Sequence, residues 1–239
     1  MARIALDAMG GDHAPRAPVA GALEALAELD AAHSIQLVGK TAVIEAQLAA
    51  LAALAASAGA RGNSSARDRL EIVEAPDVIE MADKPTAVRG KPNSSMMVGL
   101  KLQQEGKSDA FVSAGNTGAQ MAASMLLLRL HAGLRRPAIA TVFPTSKRSV
   151  VVLDSGANVD CSAEELTQFG RLGATYAEDI LGRKNPAVAL MSIGEEPEKG
   201  NAITKEAHAL LAASGLNFIG NCEGATSRLV RASTAISTW

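Results

Sequence analysis

Short apolar runs alternate with longer runs of helix-forming residues along most of the chain, and this alternation constrains the fold more than any other feature. The apolar runs are continuous, which is typical of strands buried on both faces. Helices that cross over between such strands make the strands parallel. The sequence therefore predicts an α/β fold with a three-layer, mainly parallel sheet. The predicted strands are Arg3–Met9, Ser34–Gly39, Leu70–Glu74, Ala110–Ala114, Ala138–Phe143, Ser149–Leu153, Ala187–Ile193 and Leu216–Gly220.

Composition limits the partners and the compartment. Of the 239 residues, 48% are hydrophobic but only 3% are aromatic, so the core must be aliphatic. A net charge of −2 argues against a nucleic-acid partner held by bulk electrostatics. Cys161 and Cys222 lack a metal-binding spacing and indicate free thiols in a cytosolic protein, with a disulfide as the alternative. The apolar helical stretches Thr41–Ala58 and Met121–Leu130 are shorter than the roughly 20 residues that span a bilayer, and no signal peptide is visible.

The stretch 109–130 combines a strand, a glycine turn and a helix. Gly115 ends the strand, Asn116 or Thr117 can cap the helix, and Gly118 keeps the backbone free of side-chain bulk. Such a turn directs unpaired N–H groups and the positive end of the helix at one point, which suits a phosphate. The alternative is an ordinary capped connection that binds nothing.

A second polar loop follows the first strand. Asp7, Asp12 and His13 surround the glycine pair Gly10 and Gly11, which lets a ligand approach the backbone closely. Histidine titrates near neutrality and can act as an acid, a base or a hydrogen-bond donor. In the alternative reading, Asp12 caps the helix that begins at Ala14 and His13 packs over it.

Three further loops carry candidate binding groups. Arg89 and Lys91 lie beside Ser94 and Ser95, which suits a phosphate or phosphopantetheine clamp or, alternatively, a solvated basic loop. Residues 154–161 offer carboxylate and amide groups, although their spacing specifies no cation, and the alternative is that Asp160 caps the next helix. Residues 192–201 carry Lys199 in an acidic loop, for which a solvated turn is the alternative.

These polar loops all follow predicted strands. In parallel α/β sheets, ligands bind at the carboxyl ends of the strands. We therefore predict that residues 7–13, 113–117, 154–160 and 194–201 gather along one edge of the sheet and form a pocket. The nucleotide-phosphate, zinc-protease, nucleophile-elbow and dinucleotide fingerprints are absent from the sequence. His33, His131 and His208 are interpreted as surface or packing residues.

Two segments depart from the pattern. Residues 59–69 are interpreted as a polar surface loop that tolerates insertion. Residues 225–239 show no clear strand or helix cycle and are predicted to be an aberrant, poorly ordered tail. We interpret this ending as the mark of a truncated or frameshifted product.

Five segments in series closely resemble the bacterial phosphate acyltransferases of the PlsX family over about residues 2–224. The segments are DAMGGDHAP at 7–15, RGKPNSSM at 89–96, SAGNTGA at 113–119, LDSGANVDC at 153–161 and SIGEEPEKGN at 192–201. The resemblance implies transfer of a long-chain fatty acyl group from acyl carrier protein to inorganic phosphate, giving acyl phosphate for phosphatidic acid and phospholipid synthesis. It also implies a fold of the isocitrate/isopropylmalate dehydrogenase type.

The resemblance further implies a cytoplasmic homodimer that associates loosely with the inner face of the membrane. No cofactor and no metal-binding residues are predicted, and a metal requirement stays open. Residues 1–224 would form the acyltransferase domain, which is incomplete at its carboxyl end because family members continue through further strands and amphipathic helices. The alternatives are an inactive or binding-only fragment and an NAD-dependent dehydrogenase on the related fold.

Together, the loops and the resemblance imply roles for individual residues. Phosphate is itself a nucleophile, so positioning and charge stabilisation suffice. Ser113, Asn116 and Thr117 would hold phosphate and Arg89 would offset its charge. His13, oriented by Asp7 or Asp12, would move a proton or donate to the thioester oxygen. The predicted catalytic residues are His13, Asp12, Asp7 and Asn116. The predicted phosphate- and substrate-binding residues are Gly10, Gly11, Arg89, Ser94, Ser95, Ser113, Gly115, Thr117, Gly118, Asp154, Asn158, Asp160 and Lys199.

Overall fold

The computed structural model describes residues 1–57, 64–224 and 232–237. The chain divides into two compact units, Met1–Arg129 and Leu130–Trp239, and each contains its own sheet. The predicted α/β class with mainly parallel strands is confirmed. The described strands form two sheets rather than the single sheet predicted, and the acyltransferase domain over residues 1–224 stays a prediction. Periodicity identifies strands but does not determine which strands pair.

The first unit contains a four-stranded parallel sheet in the order β3-β2-β1-β4. Its strands are β1 (Arg3–Asp7), β2 (Ser34–Gly39), β3 (Leu70–Glu74) and β4 (Ala110–Val112). Its helices are α1 (Arg16–Glu28), α2 (Thr41–Ser57), α3 (Ser64–Arg67), a 3₁₀ helix (Pro85–Arg89), α4 (Ser95–Gln104) and α5 (Thr117–Leu127).

Each face of this sheet packs on a separate aliphatic cluster. Leu37 of β2 packs with Leu26 of α1 and Ile44 of α2. The next residue, Val38, joins the cluster on the opposite face together with Val98 of α4. Successive strand side chains point to opposite faces, so both faces of β2 need apolar residues. The continuous apolar run seen in the sequence follows from this arrangement.

The second unit contains a five-stranded sheet in the order β5-β6-β9-β7-β8. Its strands are β5 (Thr141–Phe143), β6 (Val150–Leu153), β7 (Val188–Met191), β8 (Phe218–Cys222) and β9 (Thr234–Ile236), and its described helices are α6 (Ala163–Asp179) and α7 (Ala202–Ala212). Strand β5 is antiparallel to β6, and the other pairings are parallel. None of the described helices is both long and apolar enough to cross a membrane.

Strand β9 lies within the segment predicted to be poorly ordered. That prediction is wrong for residues 232–237, which are buried, and β9 pairs on both sides. The segment lacks an apolar run, so its conformation depends on tertiary context rather than on local pattern. Residues 225–231 and 238–239 of the predicted tail, residues 59–63 of the predicted insertion region, and residue 58 before it lie outside the described residues.

Two helical glycines give a matched test of packing in the first unit. A Cβ at Gly99 of α4 would overlap the Phe111 ring, whereas a Cβ at Gly21 of α1 would meet no atom within 4 Å. We expect Gly99→Ala to lower the free energy of unfolding by about 1–3 kcal/mol through overpacking. Gly21→Ala should raise it by roughly 0.5–1 kcal/mol because alanine favours the helix. Urea unfolding followed by circular dichroism measures the free energy of unfolding of both variants. An equal gain in stability from the two substitutions would contradict the Gly99–Phe111 contact.

Candidate active site

A cavity of about 460 Å³ lies at the carboxyl ends of β1 and β4. These strands are parallel neighbours, so the loops that follow them meet at one edge of the sheet. The structure brings together the predicted residues of both loops. Those that line the cavity are Asp7, Gly10, Gly11, Asp12, His13 and Ser113.

A buried carboxylate joins the two loops. Asp7 is only 2% exposed. Its Oδ2 accepts a hydrogen bond of 2.7 Å from the Ser113 hydroxyl, and its Oδ1 accepts one of 3.0 Å from the Met9 N–H. The Ser113 Oγ in turn accepts a hydrogen bond of 3.0 Å from the Gly115 N–H. Because the Ser113 proton is used in this network, the structure assigns Ser113 to loop support rather than to donation toward phosphate.

Two glycines let the first loop lie against this network. A Cβ at Gly10 would come within 2.6 Å of Asp7 Oδ2 and 2.8 Å of Ser113 Oγ, so no larger residue fits. Gly11 has a φ of +97°, a conformation that side chains disfavour. The glycine pair therefore permits both the close approach and the turn of the chain.

The same loop presents four successive backbone N–H groups. Within residues 1–57, 64–224 and 232–237, no hydrogen bond uses the N–H groups of residues 10–13, and all four of these residues line the cavity. Successive N–H groups around a residue of positive φ form anion-binding concavities in proteins. The N–H groups of this loop therefore suit a phosphate or a developing oxyanion.

His13 and Asp12 are exposed at the cavity. In the part of the chain that the structure describes, no hydrogen bond joins His13 to Asp7 or Asp12, so the predicted orientation of His13 by a carboxylate is not seen. The alternative in which Asp12 caps α1 is wrong, because the N-cap is Pro15 and no side chain caps the helix. Both residues therefore keep their side chains available to a ligand.

Asn116 is occupied by its own surroundings. It is buried and caps α5, with its Oδ1 accepting a hydrogen bond of 2.9 Å from the Ala119 N–H. Its Nδ2 donates to the carbonyl oxygens of Met81 at 3.0 Å and Asp83 at 2.8 Å. We therefore replace the predicted phosphate contact of Asn116 with a structural role, since both ends of its amide are used.

The residues of the predicted basic clamp do not form a binding site together. Lys91 Nζ contacts Asp83 Oδ2 at 2.6 Å, and this hydrogen bond, more than any other contact, lowers the pKa of Asp83. Ser94 is fully buried as the N-cap of α4, and Ser95 is buried behind it, so neither hydroxyl is open to a ligand. Arg89 is exposed, and its guanidinium forms no bond within the described residues, yet it lies outside the cavity lining.

The other predicted residues between β4 and the start of α5 have packing roles or are exposed. A Cβ at Gly118 would come within 2.9 Å of Pro85 Cγ, so this glycine lets the 3₁₀ helix pack on the start of α5. A Cβ at Gly115 would lie 3.1 Å from Ser113 Oγ. Thr117 is exposed as the first residue of α5 and remains a candidate for binding.

In the second unit, Asp154 and Asn158 stabilise their own loop. Asp154 is 3% exposed, and its Oδ1 accepts a hydrogen bond of 2.8 Å from the Ile139 N–H. Its Oδ2 accepts bonds of 2.6 Å and 3.2 Å from the backbone N–H and side-chain amide of Asn158. These contacts use both residues within the fold, which does not support the predicted contact with substrate.

Asp160 and Lys199 are exposed in separate loops of this unit. Asp160 does not cap α6, because Ser162 is the N-cap and forms a capping box with Glu165. Cys161 is an unsuitable nucleophile at neutral pH, since burial first and the Glu165 and Asp154 charges next raise the pKa of its thiol.

Sequence reasoning missed an apolar cavity in the second unit. Its volume is about 600 Å³, and its lining includes Phe143, Val150, Val152 and Met191, with Asp154 and Ser155 among its polar residues. Val150 and Val152 are two residues apart on β6 and therefore share a face of the sheet. That spacing is visible in the sequence, but nothing there shows that this face borders an open space.

The fold is that of the phosphotransacylases. The EutD phosphotransacetylase from Staphylococcus aureus superposes with a TM-score of 0.64 over 99% of this chain and 77% of that chain, at 16% identity. A branched-chain phosphotransacylase from Enterococcus faecalis V583 superposes with a TM-score of 0.61 over 99% of this chain and 79% of that chain, at 14% identity. Identities this low establish the architecture alone.

Sequence comparison defines the family. The family model described as fatty acid synthesis protein matches residues 2–228. Proteins named phosphate acyltransferase from Salinibacter ruber and Heliobacterium modesticaldum are 50% and 47% identical over 224 and 223 residues, or 93% of this chain. The chain belongs to this family, as the five segments predicted. It spans 63% of the length of each of these two relatives.

The assignment of Asn116 can be tested through stability. Asn116→Ala removes the cap of α5 and leaves the carbonyls of residues 81 and 83 without their donor. We expect a loss of about 1–3 kcal/mol in the free energy of unfolding. Thr117→Ala, at the neighbouring exposed position, is the control and should change the stability little. An Asn116→Ala protein as stable as the control would show that the amide contacts do not hold this turn.

The raised pKa of the Cys161 thiol predicts how its rate of alkylation depends on pH. Because its pKa is raised, the reactive thiolate forms only at a higher pH than in an ordinary cysteine. We expect iodoacetamide to label Cys161 more slowly at neutral pH than a cysteine in a short peptide, with the rate rising through a higher midpoint. Cys161→Ser identifies the labelled site, since Cys222 is fully buried. A midpoint at or below that of the peptide would contradict the assignment.

Proposed function

We propose that this protein transfers a long-chain fatty acyl group from acyl carrier protein to inorganic phosphate and releases acyl phosphate. The observation that carries this proposal is the loop at residues 10–13, whose N–H groups have no hydrogen bond to any described residue and whose four residues, His13 among them, line a cavity. Membership of a family whose relatives are named phosphate acyltransferase supports the reaction class. We infer the acyl carrier protein as donor from the family resemblance of the five segments.

The reaction requires little beyond positioning and charge stabilisation. A phosphate oxygen attacks the thioester carbonyl, the carbonyl oxygen gains negative charge, and the carbon–sulfur bond then breaks to release the carrier thiol. Backbone N–H groups at residues 10–13 would hold the phosphate or the developing oxyanion. His13 would donate a hydrogen bond to the thioester oxygen or supply the proton taken up by the leaving thiolate. Asp7 and Ser113 would act indirectly, by holding the loop.

Charge balance is the demanding part of this site. Asp7 lies at the cavity, and its negative charge opposes a phosphate anion. Its two oxygens already accept hydrogen bonds from Ser113 and Met9, which reduces that opposition. Arg89 is exposed in the same unit without a bond to described residues and is the candidate cation for the phosphate.

The second unit contains a candidate site for an apolar ligand. Ligand pockets commonly have volumes of about 300–1,000 Å³ with mostly apolar linings and a few polar groups. The cavity of about 600 Å³ in the second unit meets this description through Phe143, Val150, Val152 and Met191. The family resemblance also suggests a homodimer that associates with the membrane surface, which light scattering and vesicle sedimentation would test.

His13 provides the direct test of the reaction. With palmitoyl-acyl carrier protein and phosphate as substrates, we expect His13→Ala to reduce release of the carrier thiol by about a hundredfold, as for loss of one oxyanion donor. His131→Ala, an exposed histidine outside both cavities, is the matched control and should retain the full rate. Equal rates in the two variants would remove His13 from the mechanism. A parent protein that binds phosphate but transfers no acyl group would instead indicate a binding-only protein.

A further inference from the structure

The middle strand of the second sheet comes from outside the family match. The family model matches residues 2–228, whereas β9 spans Thr234–Ile236. Strand β9 nevertheless lies between β6 and β7 and pairs with both in parallel. We call the space between β6 and β7 the acceptor gap. The family sequence thus builds both walls of the gap, and a segment that the family model does not include fills it.

The pairing on both walls is regular. Thr234 lies opposite Val151 and Val188, and Ile236 lies opposite Leu153 and Leu190. Just before the strand, the Ser233 N–H donates to the Ala187 carbonyl at 2.7 Å, and the Ser233 carbonyl accepts from the Val151 N–H at 3.0 Å. Residues 232–237 are all at most 4% exposed. Without a strand here, β6 and β7 would present unpaired backbone groups to each other.

Helix α6 is shaped to receive side chains from the acceptor gap. A Cβ at Gly173 would overlap the Thr234 side chain, and a Cβ at Gly170 would come within 3.1 Å of Ile236 Cδ1. Both glycines lie inside the family match. They leave room for two side chains that are two residues apart on the middle strand and therefore point to the same face. The gap thus selects the residues at these two positions.

Thr234 fits this space in shape but not in polarity. Its side chain is fully buried, and its Oγ1 has no hydrogen-bond partner among the residues that the structure describes. A buried hydroxyl without a partner is destabilising, whereas valine has nearly the same shape without the polar atom. The position above Gly173 therefore favours an apolar β-branched residue.

We infer that the acceptor gap is a strand-binding site for a parallel, extended segment with apolar β-branched residues two positions apart. In this chain, residues 232–237 occupy the gap. Strand addition of this kind gains affinity from backbone hydrogen bonds and specificity from alternate side chains.

Two variants of the full chain test the fit of position 234. We expect Thr234→Val to increase the folding equilibrium constant of the second unit about fivefold or more, because it removes the unpaired buried hydroxyl. Thr175→Val makes the same change at an exposed position of α6 and should give no such gain. The rate of hydrogen exchange at the β6 and β7 amides measures the effect of each substitution on folding of the second unit. A Thr234→Val protein no better protected than Thr175→Val would overturn the inference about this position.

Peptide addition tests the acceptor gap itself. In the full chain, Ala235→Pro removes a ladder N–H from the middle strand and should expose the β6 and β7 amides to exchange. We expect the peptide Ala-Ser-Val-Ala-Ile-Ser to restore their protection at least tenfold. A peptide of the same composition with Val and Ile adjacent is the control and should not restore it. Equal protection with both peptides, or none with either, would overturn the proposal, whereas selective recovery supports it.

Discussion

The geometry of the candidate site depends on one buried carboxylate. Asp7 ends β1, and its two oxygens take hydrogen bonds from the Ser113 hydroxyl and the Met9 N–H. A buried charge is tolerated only where hydrogen bonds replace the lost water. The same bonds hold the loops after β1 and β4 at a fixed separation, and Gly10 lies directly against them. The position of residues 10–13 at the cavity therefore depends on how the hydrogen-bonding capacity of Asp7 is satisfied.

The second unit uses the same device at a different strand end. Asp154 follows β6 and accepts hydrogen bonds from Ile139 and from two nitrogens of Asn158. In both units, a carboxylate at the end of a strand stabilises the turn that follows. Within the described residues, both loops leave backbone N–H groups without a hydrogen bond, and the Asp7 loop differs in that a histidine, His13, lines the same cavity.

Much of the fold follows from the sequence pattern. The limits of β2 and β3 agree with prediction, and Asp7, His13 and Ser113 were expected together because their loops follow parallel strands. The roles of Asn116, Ser94 and Asp154 could not be predicted in the same way. A polar residue at a strand end can bind a ligand or close its own turn, and the choice depends on which backbone groups pass nearby in three dimensions. The position of β9 could not be predicted from the sequence either, because the strands with which it pairs are far away along the chain.

Two features order the second unit, the hydrogen bonds of Asp154 and the pairing of β9, and both bear on the proposed acyl transfer. Asp154 follows β6, and the loop at residues 192–201 follows β7, so the positions of both loops depend on how these strands are held. Strand β9 joins β6 to β7 through backbone pairing on both sides. Because β9 lies beyond the family match, the arrangement of two family segments in this chain rests on residues that the family model does not contain. Any contribution of this unit to the proposed acyl transfer therefore depends on two things. One is the set of residues in the two loops, and the other is whether a strand fills the acceptor gap and holds β6 and β7 in place.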